Sequence, residues 1–329
     1  MIITKTPFRV SFCGGGSDIS DFYREHGGCV LSTTINRYMY LTIHPYFDEK
    51  KTALKYSQNE IVEDIRDINH SIFKCVLNEK NISGVEISST ADIPSGTGLG
   101  SSSAFTVGLL HTLACYQGKY MSKEKLAAEA CRIEIEKLGA PIGKQDQYAA
   151  AVGGLNFITF HKDDTVSVEP IIAKNDTIRN LQENLVMYYT GLTHNANEIL
   201  AEQKKNISQE VKTKNLIRMC DLARYMKESL EQNELEPVGE ILNEGWMRKR
   251  ELAGSISNSK IDELYDIAMR NGATGGKLLG AGGGGFLLFY CPKEKQSYLT
   301  EALELKLFPF QFEHDGTSVA YIGDKYWER

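Results

Sequence analysis

The sequence predicts an α+β protein of two lobes, and three observations carry that expectation. Its 329 residues are more than one ordinary core holds, at about 150 residues per domain. Strand-like and helix-like stretches mix without the regular alternation of a doubly wound parallel sheet. The polar run Ala173 to Asn180 divides the chain into a first unit, 1–172, and a second, 173–329.

From Ile3 to Cys13 apolar and polar residues alternate, with Phe8, Val10 and Phe12 on one side and Arg9 and Ser11 on the other, the period of a half-buried strand. "GGGSD", Gly14 to Asp18, ends it. A short helix is expected from Ser17 to His26, then β-rich runs from Cys29 to His44 and Thr52 to Ser57, a helix from Glu63 to Asn78 and a strand beginning at Gly84. Phe105, Leu109, Leu113 and Tyr116 recur at helical spacing, and a second core-facing helix runs from Ser122 to Leu138. Two strands follow, Leu155 to Phe160 and Thr165 to Glu169. The second unit reads as a strand from Leu185 to Tyr189, helices near 196–213, 214–231, 235–253 and 258–270, a glycine cluster, a strand from Phe286 to Tyr290, a helix and two last strands.

Composition removes several function classes. With 37 Lys and Arg against 43 Asp and Glu, the net charge of -6 offers no broad attraction for nucleic acid or an anionic membrane, so neither is expected as a partner. Any phosphate must be held locally. The seven cysteines are scattered, odd in number and without a C-x-x-C pair, which fits reduced thiols in the cytoplasm. The amino terminus lacks a signal-peptide pattern, and no apolar run reaches about 18 residues, so a cytoplasmic protein is expected. The seven histidines form no H-x-x-H or H-x-H pattern, which argues against zinc.

The stretch "IPSGTGLGSSSAF", Ile93 to Phe105, places glycines and serines ahead of an apolar helix. A helix begins with about four N–H groups lacking partners and with the positive end of its dipole, and glycine lets a backbone approach an anion there. A plain connector with serine as N-cap is the alternative. No Gly-Lys-Ser/Thr closes the loop, and it contains no G-x-S-x-G elbow. Two further clusters are Cys13 to Asp18 and the glycines between Lys277 and Tyr290. The latter spells G-x-G-x-x-G at Gly280, Gly282 and Gly285, but a β-like run follows where a dinucleotide fingerprint needs a helix.

On the helix expected from Ser122 to Leu138, Ala127, Ala130, Cys131, Glu134 and Leu138 share a face, whereas Glu136 points about 200° from Glu134. A carboxylate on a core face needs a partner, and a bound cation is one. Asp146, opening another small-residue helix, reads equally as a functional carboxylate or an N-cap.

In this order the parts resemble the GHMP kinases, named for galactokinase, homoserine kinase, mevalonate kinase and phosphomevalonate kinase. Their P-x-x-x-G-L-G/S-S-S-A pattern is similar to Pro94, Gly98, Leu99, Gly100, Ser101 and Ser102, with Ser103 inserted before Ala104. "TPFRVSFCGGGSD" resembles their first motif and "GAGGGG" their third. Within the family, "GAPIGKQDQYAAAVGGLN" is similar to sugar kinases acting on the anomeric hydroxyl of a heptose 7-phosphate, and the G-E-H-T-D segment of galactokinases is absent.

The resemblance implies a two-lobed fold, a ribosomal-protein S5-like amino-terminal lobe and a ferredoxin-like carboxy-terminal lobe, with ATP and a small-molecule sugar phosphate meeting between them. It implies that Pro94, Gly96, Thr97, Gly98, Leu99, Gly100, Ser101, Ser102 and Ser103 cradle the triphosphate, and that Ser102 and Glu134 hold Mg²⁺. Asp146 would take the proton of the C1 hydroxyl, and Arg9 would pair with Asp146 or the transferring phosphate. Gly14, Gly15, Gly16, Ser17 and Asp18 are expected to grip the sugar, with a helix N-cap as the alternative for Asp18. Lys144 and Lys277 are candidates for a phosphate on the acceptor, and Gly282 and Gly283 complete the substrate set. Two alternatives remain open: an anomeric kinase for an unphosphorylated sugar such as L-fucose, and a regulator that binds sugar or nucleotide without turnover.

Overall fold

A computed structural model describes residues 1–192, 196–207 and 209–323. The first half runs β1 (Ile2–Cys13), α1 (Ser20–His26), β2 (Gly28–Pro45), β3 (Thr52–Lys55), β4 (Asn59–Val62), α2 (Ser71–Lys80), β5 (Val85–Ala91), α3 (Ser101–Tyr116), α4 (Lys123–Cys131), α5 (Gln145–Val152), β6 (Leu155–Phe160) and β7 (Val166–Pro170). The second runs α6 (Asn175–Glu183), β8 (Leu185–Tyr189), α7 (Ala196–Asn206), α8 (Glu210–Glu231), α9 (Val238–Arg250), α10 (Ser259–Arg270), β9 (Gly275–Leu278), β10 (Phe286–Tyr290), α11 (Gln296–Leu303), β11 (Lys306–Leu307), β12 (Phe312–Glu313) and β13 (Ser318–Ile322).

The strands form two sheets. In the first, β2 is long enough to serve different partners along its length: β6 pairs with its Gly28–Thr33 end, β5 with its Met39–Pro45 end, and β1 runs antiparallel beside it. The second is antiparallel in the order β11, β8, β10, β9. α3 packs on β1 and β2 and is buried on nearly every side from Ser103 to Ala114, as expected of a helix apolar all round. Each fully buried leucine there, such as Leu109 or Leu113, contributes about 1.5–3 kcal/mol.

Several expectations need correction. The helix expected from Glu63 begins only at Ser71, because Asn59–Val62 pairs as β4 with β3 and a single 3₁₀ turn follows. The polar run taken as a divider folds into α6, whose Thr177 and Leu181, four apart, are buried. The helix expected over 196–213 ends at Asn206, and α8 starts at Glu210; residue 208 lies outside the described residues. β9 was not among the expected strands, because glycine in a strand interior weakens the pattern by which a strand is read. Glycine is required there by proximity: a Cβ on Gly275 would sit 1.7 Å from the Gly239 carbonyl oxygen, and one on Gly276 2.5 Å from that of Leu288.

The chain also does not divide cleanly at 172/173. β12 pairs with β2, and β13 pairs antiparallel with the outer side of β1, Ile2 facing Ile322. An exposed edge on β1 would invite foreign pairing, and the returning chain covers it.

Candidate functional site

The loop between β5 and α3 acts through its backbone. Leu99 and Thr97 are buried, and the Thr97 hydroxyl donates to the Pro94 carbonyl at 2.9 Å. Gly100, not a serine, stands at the N-cap position of α3, with φ +78, and no described side chain caps the helix. The first turn thus presents N–H groups without a side-chain cap, the arrangement that suits an anion at a helix N-terminus. Arg9 secures the loop from below, its backbone N–H donating to the Leu99 carbonyl at 3.1 Å and its Nη1 to the Gly98 carbonyl at 2.6 Å.

Two carboxylates stand beside this helix end. Arg9 Nε and Nη2 donate to the two oxygens of Asp146, each at 2.8 Å, a forked pairing that fixes the carboxylate plane. A Cβ on Gly100 would lie 3.2 Å from Asp146 Oδ2, so the carboxylate faces the loop. Glu134 accepts from the Ser102 hydroxyl at 2.7 Å on one oxygen and from Gln147 Nε2 at 2.7 Å on the other. Burial raises the Glu134 pKa; hydrogen bonds from Ser102, Gln147 and Ser103 oppose that, and the charge of Asp146 adds to it. Glu134 sits in a π-helical turn, Arg132–Lys137, that extends α4. The wider turn rotates the following face, so Leu138 is exposed rather than sharing the core with Glu134 as expected.

Asp18 is buried and does not cap α1, which begins after Ile19 without a described side-chain cap. Its carboxylate accepts from the backbone N–H groups of Gly16 at 2.9 Å and Gln145 at 3.1 Å, fastening the first glycine turn to the helix that carries Asp146. Burial first, and then the Asp146 charge, raise its pKa. The approach is close enough that a Cβ on Gly143 would fall 1.9 Å from Asp18 Oδ2. Gly14 and Gly16 pack against the Cys29 carbonyl and Gln203. Ser17 was expected at the sugar, but its hydroxyl donates to the Cys29 carbonyl and accepts from the Cys29 N–H, both at 3.0 Å. Near Gly15 two polar atoms are buried with no partner among the described residues, Ser11 Oγ and Gln145 Oε1, respectively 3.6 and 3.9 Å from where a Gly15 Cβ would stand.

The third glycine cluster interlocks with the first loop. A Cβ on Gly280 would lie 2.3 Å from Gly98 Cα, and one on Gly285 2.2 Å from the Thr97 carbonyl oxygen. Gly282 and Gly283, expected to touch substrate, pack on Ile256, and the Gly283 N–H is already donated to the Ile256 carbonyl at 2.9 Å. Lys144 is likewise committed: its Nζ donates to the Asp164 carbonyl at 3.0 Å and lies over the Tyr23 ring. Lys277 is brought inward, where its Nζ donates to the Phe12 carbonyl at 2.9 Å.

Sequence reasoning missed Ser11, Gln145 and Lys249. Lys249, on α9, donates its Nζ to the Gly280 carbonyl. Its signal was available: Leu242, Trp246 and Lys249 share one face at helical spacing, which puts a lysine on an apolar stripe.

Among the described residues no three His, Cys, Asp or Glu side chains group as a metal site, and no helix is long and apolar enough to cross a membrane. The model of the GHMP kinases N terminal domain matches residues 67–154, and that of GHMP kinases C terminal matches residues 226–305. A D-glycero-alpha-D-manno-heptose 7-phosphate kinase of Campylobacter jejuni is 32% identical over 92% of this chain and 93% of its own length. The chain belongs to the GHMP kinase family. A GHMP kinase is an ATP-dependent phosphotransferase with an alcohol acceptor, and the two-lobed α+β fold expected from the sequence is that of the family. A bifunctional fucokinase/GDP-fucose pyrophosphorylase of Arabidopsis thaliana is 26% identical over 91% of this GHMP kinase but only 31% of that longer protein. The crystal structure of a D-glycero-D-manno-heptose 1-phosphate kinase from Bacteroides thetaiotaomicron superposes with TM-score 0.80, at 25% identity, over 98% of this chain and all of the other.

Proposed function

We propose that this GHMP kinase transfers the terminal phosphate of ATP to the anomeric C1 hydroxyl of D-glycero-D-manno-heptose 7-phosphate, giving the 1,7-bisphosphate for nucleotide-activated heptose in surface polysaccharide. The observation that carries it is the Arg9–Asp146 fork facing Gly100 at the open end of α3. The Campylobacter jejuni relative, named for a heptose 7-phosphate, supports the choice of acceptor.

Phosphoryl transfer asks a protein for in-line alignment and positive charge more than for covalent chemistry. The C1 oxygen attacks the terminal phosphorus, the bond to the ADP oxygen breaks, and the hydroxyl proton passes to Asp146. Such general-base assistance is worth about 10²–10⁴-fold. Arg9 holds Asp146 in plane while fixing the loop whose N–H groups receive the phosphates. Ser11, Gln145 and the Gly14–Asp18 turn line the acceptor side, where the two partnerless atoms await sugar hydroxyls.

Ser102 and Glu134 fit a magnesium ion. They are hard oxygen donors 2.7 Å apart, and among the described residues no lysine or arginine pairs with buried Glu134. When bound, Mg²⁺ neutralises charge on the phosphate oxygens. Residues 1–172 form the ATP-binding unit in this reading and 173–329 the second unit, with β12 and β13 returned to the first sheet.

A free sugar such as L-fucose is the second reading, favoured by the match to the Arabidopsis fucokinase. Binding without turnover is disfavoured by the intact Arg9–Asp146 fork. The experiment is incubation with ATP, Mg²⁺ and a panel of sugars and sugar phosphates, following ADP release and locating the new phosphate by ³¹P NMR. A 1,7-bisphosphate with free hexoses inert supports the heptose reading; turnover of free L-fucose alone overturns the acceptor, and absence of turnover overturns the kinase.

A further inference from the structure

Beneath the interlocked glycine loops lie three cations, Arg9, Lys249 and Lys277, and two carboxylates, Asp18 and Asp146. Arg9 is matched by Asp146. Lys249, 6% exposed, and Lys277, 4% exposed, are not matched: among the described residues no carboxylate lies within ion-pair distance of either. Each ammonium has one backbone carbonyl instead, that of Gly280 for Lys249 and that of Phe12 for Lys277. Asp18 is taken up by backbone N–H groups.

A carbonyl is a dipole and does not neutralise an ammonium taken out of water. The strain is visible in both amines. Burial pulls Lys249 down to about 7, with the charges of Lys277 and Arg9 adding to it and those of Asp18 and Asp146 opposing, and burial pulls Lys277 down to about 8. When both lysines are protonated, the five groups carry one surplus positive charge. Its place is specific: Gly280, under Lys249, rests on Gly98 of the donor loop, and Phe12, over Lys277, leads directly into the Cys13–Asp18 turn on the acceptor side.

We propose that Lys249 and Lys277 form a seat for a phosphate group of a bound substrate. This deepens the kinase reading and rests on it for the kinetic arm alone. The phosphate is either the one already on the acceptor or the one in transfer; both present the same dianion to paired ammonium groups. The seat also explains why lysine stands on the otherwise apolar face of α9, where methionine would fill the same space without a desolvated charge.

The test compares wild type with Lys249→Met and Lys277→Met, all as full chains. Thermal unfolding is first followed in inorganic phosphate and in chloride at matched ionic strength, which needs no assumption about the sugar. Phosphate is expected to raise the wild-type midpoint and to leave both variants unmoved, while Lys249→Met without phosphate melts no lower than wild type. Equal protection of wild type and variants, or protection of none, overturns the seat.

Steady-state kinetics then separates the two sources. A rise of about 10–100-fold in KM for the sugar phosphate with that for ATP unchanged identifies the acceptor's phosphate. A fall in kcat or a rise in KM for ATP identifies the transferring one. Unchanged constants in both variants overturn the proposal, and Lys249→Arg, which keeps the charge, is expected to retain phosphate protection. If a free sugar is the better acceptor while phosphate still protects through Lys249, the acceptor reading fails and the seat stands.

Discussion

Arg9 and Asp146, 137 residues apart in sequence, meet through two hydrogen bonds of 2.8 Å, and the same guanidinium holds the Gly98 carbonyl at 2.6 Å. One side chain therefore couples the proposed base to the proposed phosphate loop. Arg9→Lys keeps a charge but loses the fork, so kcat is expected to fall and KM for ATP to rise together. A change in one constant alone would separate the two duties.

Asp146→Asn keeps the size of the side chain and removes its basicity. We expect kcat to drop about 10²–10⁴-fold while ATP still binds by calorimetry. The variant also leaves buried Arg9 without its counter-ion, so a lower melting temperature accompanies the loss. Activity within about threefold of wild type would remove Asp146 from the chemistry.

Gly98→Ala meets two obstacles at once, φ +84 and a Cβ 2.4 Å from the Leu279 carbonyl oxygen. Gly139→Ala meets one, φ +67, with nothing within 4 Å. The second is expected to cost about 1–2 kcal/mol and leave KM for ATP near wild type; the first should cost more and weaken ATP binding. Parallel unfolding and kinetic measurements on the pair distinguish a loop interlock from an ordinary turn.

Ser11→Ala removes a buried hydroxyl that has no described partner, so the free protein should be as stable as wild type or slightly more so. KM for the acceptor should nevertheless rise, by about tenfold. Loss of stability with unchanged acceptor KM would assign Ser11 to the scaffold.

Lys249 makes stability depend on pH in a defined direction. Its pKa in the fold, about 7, lies below the 10.5 of the unfolded chain. Below about pH 7 both states hold the proton and the fold carries the full cost of the buried charge. Between about 7 and 10.5 the unfolded chain binds a proton the fold has shed, so stability rises with pH, by at most about 1.4 kcal/mol per pH unit for this group. Lys277 adds a similar slope from about 8; Arg9 acts on both amines, Asp18 and Asp146 on Lys249, and Cys13 on Lys277. Chemical unfolding across that range should be flatter for Lys249→Met than for wild type; identical slopes would show that Lys249 does not titrate there.

What was legible in the sequence followed from local rules. Alternation announced β1, and the spacing of Phe105, Leu109 and Leu113 announced α3. The composition of the glycine loops marked where the backbone had to come close, and a carboxylate among alanines marked Glu134. What was not legible depends on chain segments far apart. β9 is a strand only because β10 lies beside it, and Gly276 is demanded by Leu288 rather than by its neighbours in sequence. The π-helical turn that exposes Leu138 leaves no compositional trace, and Ser17 looked like a ligand until Cys29 was seen to occupy both ends of its hydroxyl. Lys144 and Lys277 carried equal weight as candidates, and only the packing told the inward lysine from the outward one.

The return of β13 to β1 has a temporal consequence. Ile2 to Lys5 pair with residues 318–322, so the strand that bears Arg9 lacks one neighbour until nearly all of the intervening polypeptide has been gathered in. Closing so long a loop is slow relative to forming local helices and hairpins. During refolding, helical signal should recover early and catalytic turnover late, with the interval set by how quickly the two ends of the first sheet find each other.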